Sequence, residues 1–236
     1  MFAAFKMVFV FMALGIPAWV LGMPWTLLTK SVDRMYIWGR QVAALGVRAA
    51  GIRVKVSGLE NIPAEACLFM SNHCSNLDPP ILIPVIPRLP SVMVKKALMS
   101  LPLLGSAMKI GKFVPVERDS REGAVRAMRA GLDAVRSGKS MVIFAEGTRS
   151  RTGRLLPFKK GLFHLAQSTD APIVPVVLLG TEAMMGKGGW RVYPGTAEVK
   201  FLEAVNTAAF PKREDLMAEV RRRMVEALPE HMRPLE

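Results

Sequence analysis

The chain has 236 residues, a formal net charge of +13, 51% apolar residues, a mean hydropathy of +0.27 and two cysteines. That length fits one domain with a full core. The apolar content excludes general disorder, and two cysteines cannot staple so long a chain. Such a basic excess calls for an acidic partner, either nucleic acid, anionic lipid or a phosphorylated substrate. The apolar excess beside it points first to a membrane surface.

The first predicted element is apolar. No charged residue occurs from Met7 to Thr29, and those 23 residues span roughly 34 Å as a helix, enough to cross a hydrocarbon core. Trp19 and Trp25 stand toward its end, where indoles favour the interface. Pro17 and Pro24 tend to kink such a helix, so a bent or re-entrant hairpin stands beside a simple span. A cleaved signal peptide lacks a clear cleavage site, and a soluble core helix is the remaining reading. Only Lys6 precedes the stretch, whereas Lys30, Arg34, Arg40, Arg48, Arg53 and Lys55 follow it. If the segment spans, this bias places the body on the cytoplasmic side; if it re-enters, the body shares the side of the N-terminus, and a reducing cytoplasm suits Cys67 and Cys74 as free thiols.

Residues 31–50 read as an amphipathic helix, with Met35, Trp38, Val42 and Leu45 on one stripe. Arg34, Arg40 and Arg48 either face phosphates or line a helix packed on the body. Composition shifts sharply near residue 50. The expected division is therefore an anchor and amphipathic helix over 1–50 and an α/β domain over 51–236. Strand-like runs follow at 52–56, 67–71, 91–95, 113–117, 141–144, 173–179 and 198–202. Helices are expected at 119–137, opened by Asp119 and Glu122 as a capping box, and at 212–228, stopped by Pro229. Alternating strands and helices predict an α/β fold with a mixed, mostly parallel sheet flanked by helices.

Chemistry-bearing residues gather where strands end. Residues 71–80 read Ser-Asn-His-Cys-Ser-Asn-Leu-Asp-Pro-Pro. His73 and Asp78 lie five apart, which puts them on different faces of a continuous helix, so they meet only if the chain turns between them. Ser75, Asn76 and the Asp-Pro-Pro run supply turn chemistry. Asp78 would then orient the imidazole and leave its other nitrogen as a general base. The plainer reading makes Asp78 an N-cap and His73 a hydrogen-bonded loop residue. A Cys74 nucleophile and a zinc site from Cys67, His73 and Cys74 are weaker alternatives, because the spacing matches no common finger. Arg118 ends another strand just before a helix, a position suited to gripping phosphate. Glu146, Gly147, Thr148 and Arg149 form a third loop. Arg149, Arg151, Arg154, Lys159 and Lys160 put five cations into twelve residues there. Lys95 and Lys96 add two more.

These segments, in this order, resemble the bacterial 1-acylglycerol-3-phosphate acyltransferases of the glycerophospholipid acyltransferase family. The H-x4-D block matches residues 72–79, the glycine, strand and arginine block 111–118, the F-P-E-G-T-R-S block 144–150, and the V-P-V block 173–176. Ala145 stands for the usual proline of the third block, Glu117 for a common aspartate, and Ala97 for a glutamate. The resemblance implies a membrane-bound O-acyltransferase of phospholipid biosynthesis at the cytoplasmic face of the inner membrane. It would move an acyl group from acyl-coenzyme A or acyl-carrier protein to lysophosphatidate. It implies His73 as base, Asp78 as its orienting partner, and Arg118, Glu146, Gly147, Thr148, Arg149 and, more weakly, Lys96 as acceptor-binding residues. No metal and no cofactor beyond the thioester co-substrate are implied. A relative with another acceptor, such as glycerol-3-phosphate, is the nearest alternative. A non-catalytic basic protein bound to membrane or nucleic acid is the alternative of another class; nothing in the sequence resembles a nucleic-acid recognition element.

Overall fold

The computed structural model describes residues 2–29, 31–102, 104–117 and 121–235. Arg118, the expected phosphate ligand, and Asp119 of the expected capping box lie outside these residues.

The elements run α1 (Phe2–Thr29), α2 (Asp33–Ala49), β1 (Ile52–Ser57), β2 (Leu68–Ser71), α3 (Asp78–Val85), β3 (Ser91–Lys95), α4 (Leu104–Ile110), β4 (Val114–Val116), α5 (Arg121–Arg136), β5 (Met141–Phe144), α6 (Lys160–Gln167), β6 (Ile173–Leu179), α7 (Thr181–Met184), β7 (Gly195–Phe201) and α8 (Arg213–Ala227). The seven strands form one sheet in the order β1-β7-β6-β2-β5-β3-β4. Every pairing is parallel except β6 with β7. The sheet is therefore mixed and mostly parallel, as the alternation of strands and helices predicts.

β2, β5 and most of β6 are buried on both faces. Their uninterrupted apolar runs suit a central parallel sheet with helices on each side. On one side Leu216, Val220 and Met224 of α8 and Phe163 and Leu165 of α6 close a core with Leu68, Met70, Met141 and Ile143. On the other, Val47 of α2 and Ile81 and Leu82 of α3 close a second core with Phe69, Val142, Val174 and Phe201. β2 and β5 pair in register from Leu68 with Met141 to Ser71 with Phe144, so the loops leaving both strands emerge side by side. Sites in open α/β sheets form at such carboxyl ends.

α1 stays helical through Pro17 and Pro24 and packs antiparallel against α2. Its close approach rests on glycines: Gly22 faces Met35 and Trp38, and Gly46 faces the Phe11 ring. Ala3, Ala4 and Met7 reach the second core, while Phe2, Phe5, Phe9, Leu21, Leu27 and Leu28 stay exposed. The α2 arginines are placed differently from the phosphate-facing expectation. Arg40 donates to the carbonyls of Pro84 and Ile86 at 2.7 Å each and of Arg88 at 3.2 Å, in the last turn of α3 and just past it. Arg34 lies over the Trp25 ring at 4.1 Å.

A Cβ on Gly46 would sit 2.0 Å from Phe11, whereas one on Gly39 would meet nothing within 4 Å. Gly46→Leu is expected to destabilise the helix pair by about 1–3 kcal/mol. Gly39→Ala is expected to be neutral or to stabilise by up to about 1 kcal/mol. Thermal unfolding in detergent checks both; equal behaviour of the two variants would refute the contact.

Candidate active site

The loop after β2 reverses direction within five residues, and one carboxylate oxygen organises the reversal. Asp78 Oδ2 lies 2.7 Å from His73 Nδ1 and accepts the backbone N–H groups of Cys74 and Ser75 at 2.8 Å each. An oxygen that already accepts two amide N–H groups has no hydrogen of its own to donate along the third contact, so His73 Nδ1 carries the hydrogen and Nε2 presents a lone pair. Asp78 is wholly buried, while the His73 side chain keeps 12% of its surface exposed. The N-cap reading of Asp78 does not hold: it is the first residue of α3, Leu77 is the N-cap, and no side chain caps that end. Pro79 and Pro80 follow at positions where a missing N–H costs little.

Three further contacts hold the imidazole. Its ring stacks on Phe144 with centroids 4.0 Å apart and planes inclined at 20°. The His73 N–H donates to Glu146 Oε1 at 2.8 Å, and its carbonyl accepts from the Ser150 N–H at 2.7 Å. One residue earlier, the Asn72 amide completes a two-way pair with Leu178 of β6, donating to its carbonyl at 2.9 Å and accepting from its N–H at 2.8 Å. The His73 loop is thus tied to both strands that flank β2.

Glu146 departs from the expected substrate-facing role. It is 1% exposed, and both its oxygens are occupied by main-chain donors, His73 N–H and Leu156 N–H at 3.0 Å. Burial pushes its carboxyl up to about 7; the two amide hydrogen bonds oppose that shift, the nearby Asp78 charge adds to it, and Arg221 offsets it further. Gly147 holds φ at +68°, a left-handed turn that glycine adopts without strain. Thr148 Oγ1 accepts from Lys187 at 3.3 Å. Arg149 Nη1 is buried and has no hydrogen-bond partner among the described residues.

The other sequence-predicted cations separate from this centre. Lys96, 65% exposed, pairs with Glu117, which also takes Arg126 at 2.7 Å. Arg154 donates to the carbonyls of Arg233 and Glu230, and Arg151, Lys159 and Lys160 are exposed. Arg149 and Arg151 flank Ser150, whose N–H binds the His73 carbonyl, and of these two only Arg149 is half-buried. Cys74 is no nucleophile, because its thiol is buried, donates to the Gly153 carbonyl and is pushed well up by burial. Ala145 buries its side chain and donates its N–H to the Ser71 carbonyl at 3.0 Å, a bond that a proline there would lack. Lys187 and Arg221 carry no motif. Arg221 binds the Leu156 carbonyl at 2.8 Å and lies over Phe158.

Comparison with known proteins adds an independent line. The Acyltransferase family model matches residues 53–179, more than half of the chain. The chain belongs to the acyltransferase family. It is 33% identical to a 1-acyl-sn-glycerol-3-phosphate acyltransferase of Limnanthes douglasii, over 92% of this chain and 77% of that protein. Its identity is 32% to a Pseudomonas aeruginosa protein of the same name, over 69% of this chain and 63% of that one. The fold of this acyltransferase matches the 1-acyl-sn-glycerophosphate acyltransferase of Thermotoga maritima with a TM-score of 0.81. That alignment covers 95% and 92% of the two chains at 24% identity.

The raised Glu146 carboxyl has a measurable consequence. Folding lifts it from an ordinary 4.5 to about 7, so between those pH values the folded protein holds a proton that the unfolded chain does not. The resulting stabilisation is full below pH ~4.5 and is lost as pH rises through about 7. Glu146→Gln removes this titration and turns an NH2 group toward one main-chain donor. The melting temperature of the wild type should therefore gain on that of the variant as pH falls from 8 to 5. A constant difference would contradict the burial.

Proposed function

We propose that this acyltransferase moves a fatty acyl group from a thioester, acyl-coenzyme A or acyl-carrier protein, to the sn-2 hydroxyl of lysophosphatidate, giving phosphatidic acid for phospholipid synthesis. The single observation that carries the chemistry is the 2.7 Å pair of His73 Nδ1 and Asp78 Oδ2. The names of the relatives support the acceptor. His73 Nε2 takes the hydroxyl proton as that oxygen bonds to the thioester carbonyl carbon. The carbon–sulfur bond then breaks, and the departing thiolate collects the proton from the imidazolium. Asp78 stabilises the imidazolium in between. General base catalysis supplies about 10²–10⁴-fold, and positioning much of the remainder. Arg149 and Thr148 border this loop and are assigned to the acceptor, together with Arg118. Glu146 and Gly147 are assigned to shaping the loop rather than touching substrate, and Lys96 is left out. No cofactor enters this scheme.

His73→Ala is expected to lower kcat by about 10²–10⁴-fold while the protein stays folded. Asp78→Asn should approach the same loss, since an amide cannot serve three donors and also fix the tautomer. Initial rates with labelled acyl thioester and lysophosphatidate measure this. Retention of near wild-type kcat in the histidine variant would reject the base.

A hydrocarbon-rich location fits the same reading. α1 leaves a row of large apolar side chains bare on the side away from α2. Its first turns pack on the body and its last lead into α2, which is fastened to α3 by Arg40. Both ends of α1 thus belong to the body, which supports a helix embedded from one face over one that crosses with the body at a single end. We place that face on the cytoplasmic side of the inner membrane. A short tag at residue 2 and a tag on the α8 end should be digested by protease from the same side of sealed vesicles. Protection of only one of them would restore the spanning alternative.

A further inference from the structure

The loop between α7 and β7 lies beyond the matched family segment, and none of the four sequence blocks includes it. It is nevertheless built into the site. The Met185 carbonyl accepts from Ser75 Oγ, in the catalytic loop, at 2.6 Å. Residues 186–189 then make a tight turn, with Gly189 N–H donating to the Gly186 carbonyl at 3.0 Å and Gly188 at φ +88°. Lys187 occupies the corner before that glycine, the position from which a side chain projects freely. Its Nζ reaches the third block, donating to the Arg149 carbonyl at 2.8 Å and to Thr148 Oγ1 at 3.3 Å.

Both acceptors are neutral, and neither Lys187 nor Arg149 makes an ion pair with a described carboxylate. An ammonium has three donors, so one remains unspent here. Two half-buried cations therefore sit along one strand-end loop without a counter-charge, and Arg149 also carries an unpartnered buried Nη1. A half-buried cation with no counter-charge gives up part of its hydration without electrostatic return, and a bound anion supplies that return. Ser150, next along, donates to the carbonyl of His73, so the segment that carries these cations borders the His73 loop.

We infer that Lys187 is a further ligand of the acceptor's phosphate, acting with Arg149; this rests on the phosphorylated acceptor proposed above. A lysine that merely pinned two loops would need its hydrogen-bond donors and not its charge. Lys187→Gln keeps two donors and loses the charge, whereas Lys187→Arg keeps both. Steady-state kinetics on the full-length protein with lysophosphatidate and acyl-coenzyme A, together with melting temperatures, separate the roles. Loss of one charge-assisted contact should raise KM for lysophosphatidate about 10–100-fold in Lys187→Gln. The kcat, the thioester KM and the melting temperature should stay within about twofold or a few degrees of wild type, and Lys187→Arg should recover most of the loss. An unchanged acceptor KM in Lys187→Gln overturns the inference. So does a parallel rise of both KM values with a lowered melting temperature, which marks a loop pin. If the wild type acylates glycerol 3-phosphate and not lysophosphatidate, the acceptor assignment fails, and the same comparison on glycerol 3-phosphate still decides Lys187.

Discussion

One oxygen atom sets the geometry on which the chemistry depends. Asp78 Oδ2 receives an imidazole N–H and two main-chain N–H groups within 2.8 Å. Three donors offset the cost of burying this oxygen, while Oδ1 of the same carboxyl is buried without a partner among the described residues. They also fold five residues into a reversal that no helix permits, and they settle which ring nitrogen is basic. The surroundings then remove the remaining freedom of the ring. Phe144 covers one face, Glu146 holds the residue's amide, Ser150 holds its carbonyl and Asn72 ties the preceding residue to β6. These supports come from β5, the loop after it, and β6, so the imidazole is fixed by elements far apart in the chain. Such support from rigid strands is what a positioned base requires.

The positive charge divides by what it touches. Arg40 and Arg88 each gather several main-chain carbonyls, from residues 84–88 and 63–65 respectively. On the opposite side of the sheet Arg154 takes two carbonyls, of Glu230 and Arg233, and Arg221 takes one, of Leu156. The planar guanidinium suits this work, because its fork satisfies several orphaned acceptors at once. Others pair on helix surfaces, as Arg222 and Arg223 do with Glu219. A large basic excess therefore does not translate into a large basic patch at the site.

Much of the architecture was legible because it is periodic. The runs at 91–95, 141–144 and 173–179 coincide with β3, β5 and β6; Leu216, Val220 and Met224 bury one face of α8, and Met128, Leu132 and Val135 one face of α5, whereas Val125 of α5 stays exposed. The spacing of His73 and Asp78 was informative because a spacing of five fits no regular face, so only a turn joins them. The inward aim of Glu146 was not legible. A Glu-Gly-Thr-Arg segment reads as solvent-facing, and only the distant amides of His73 and Leu156 reveal where the carboxylate goes. Lys187 was hidden for a similar reason: it stands among glycines in an unremarked loop, and its partners lie nearly forty residues earlier. Local sequence reports periodicity and turn chemistry, whereas contacts between side chains and remote main-chain groups leave no local trace.

The bare side of α1 bears on how reaction speed should be counted. With that helix seated in a leaflet, as proposed, a lipid acceptor arrives by lateral diffusion, and its effective concentration is a mole fraction of the surface rather than a molarity of the solution. Diluting the acceptor with inert lipid then slows turnover even when the total amount per millilitre is unchanged. An enzyme held in this way senses the composition of its bilayer directly.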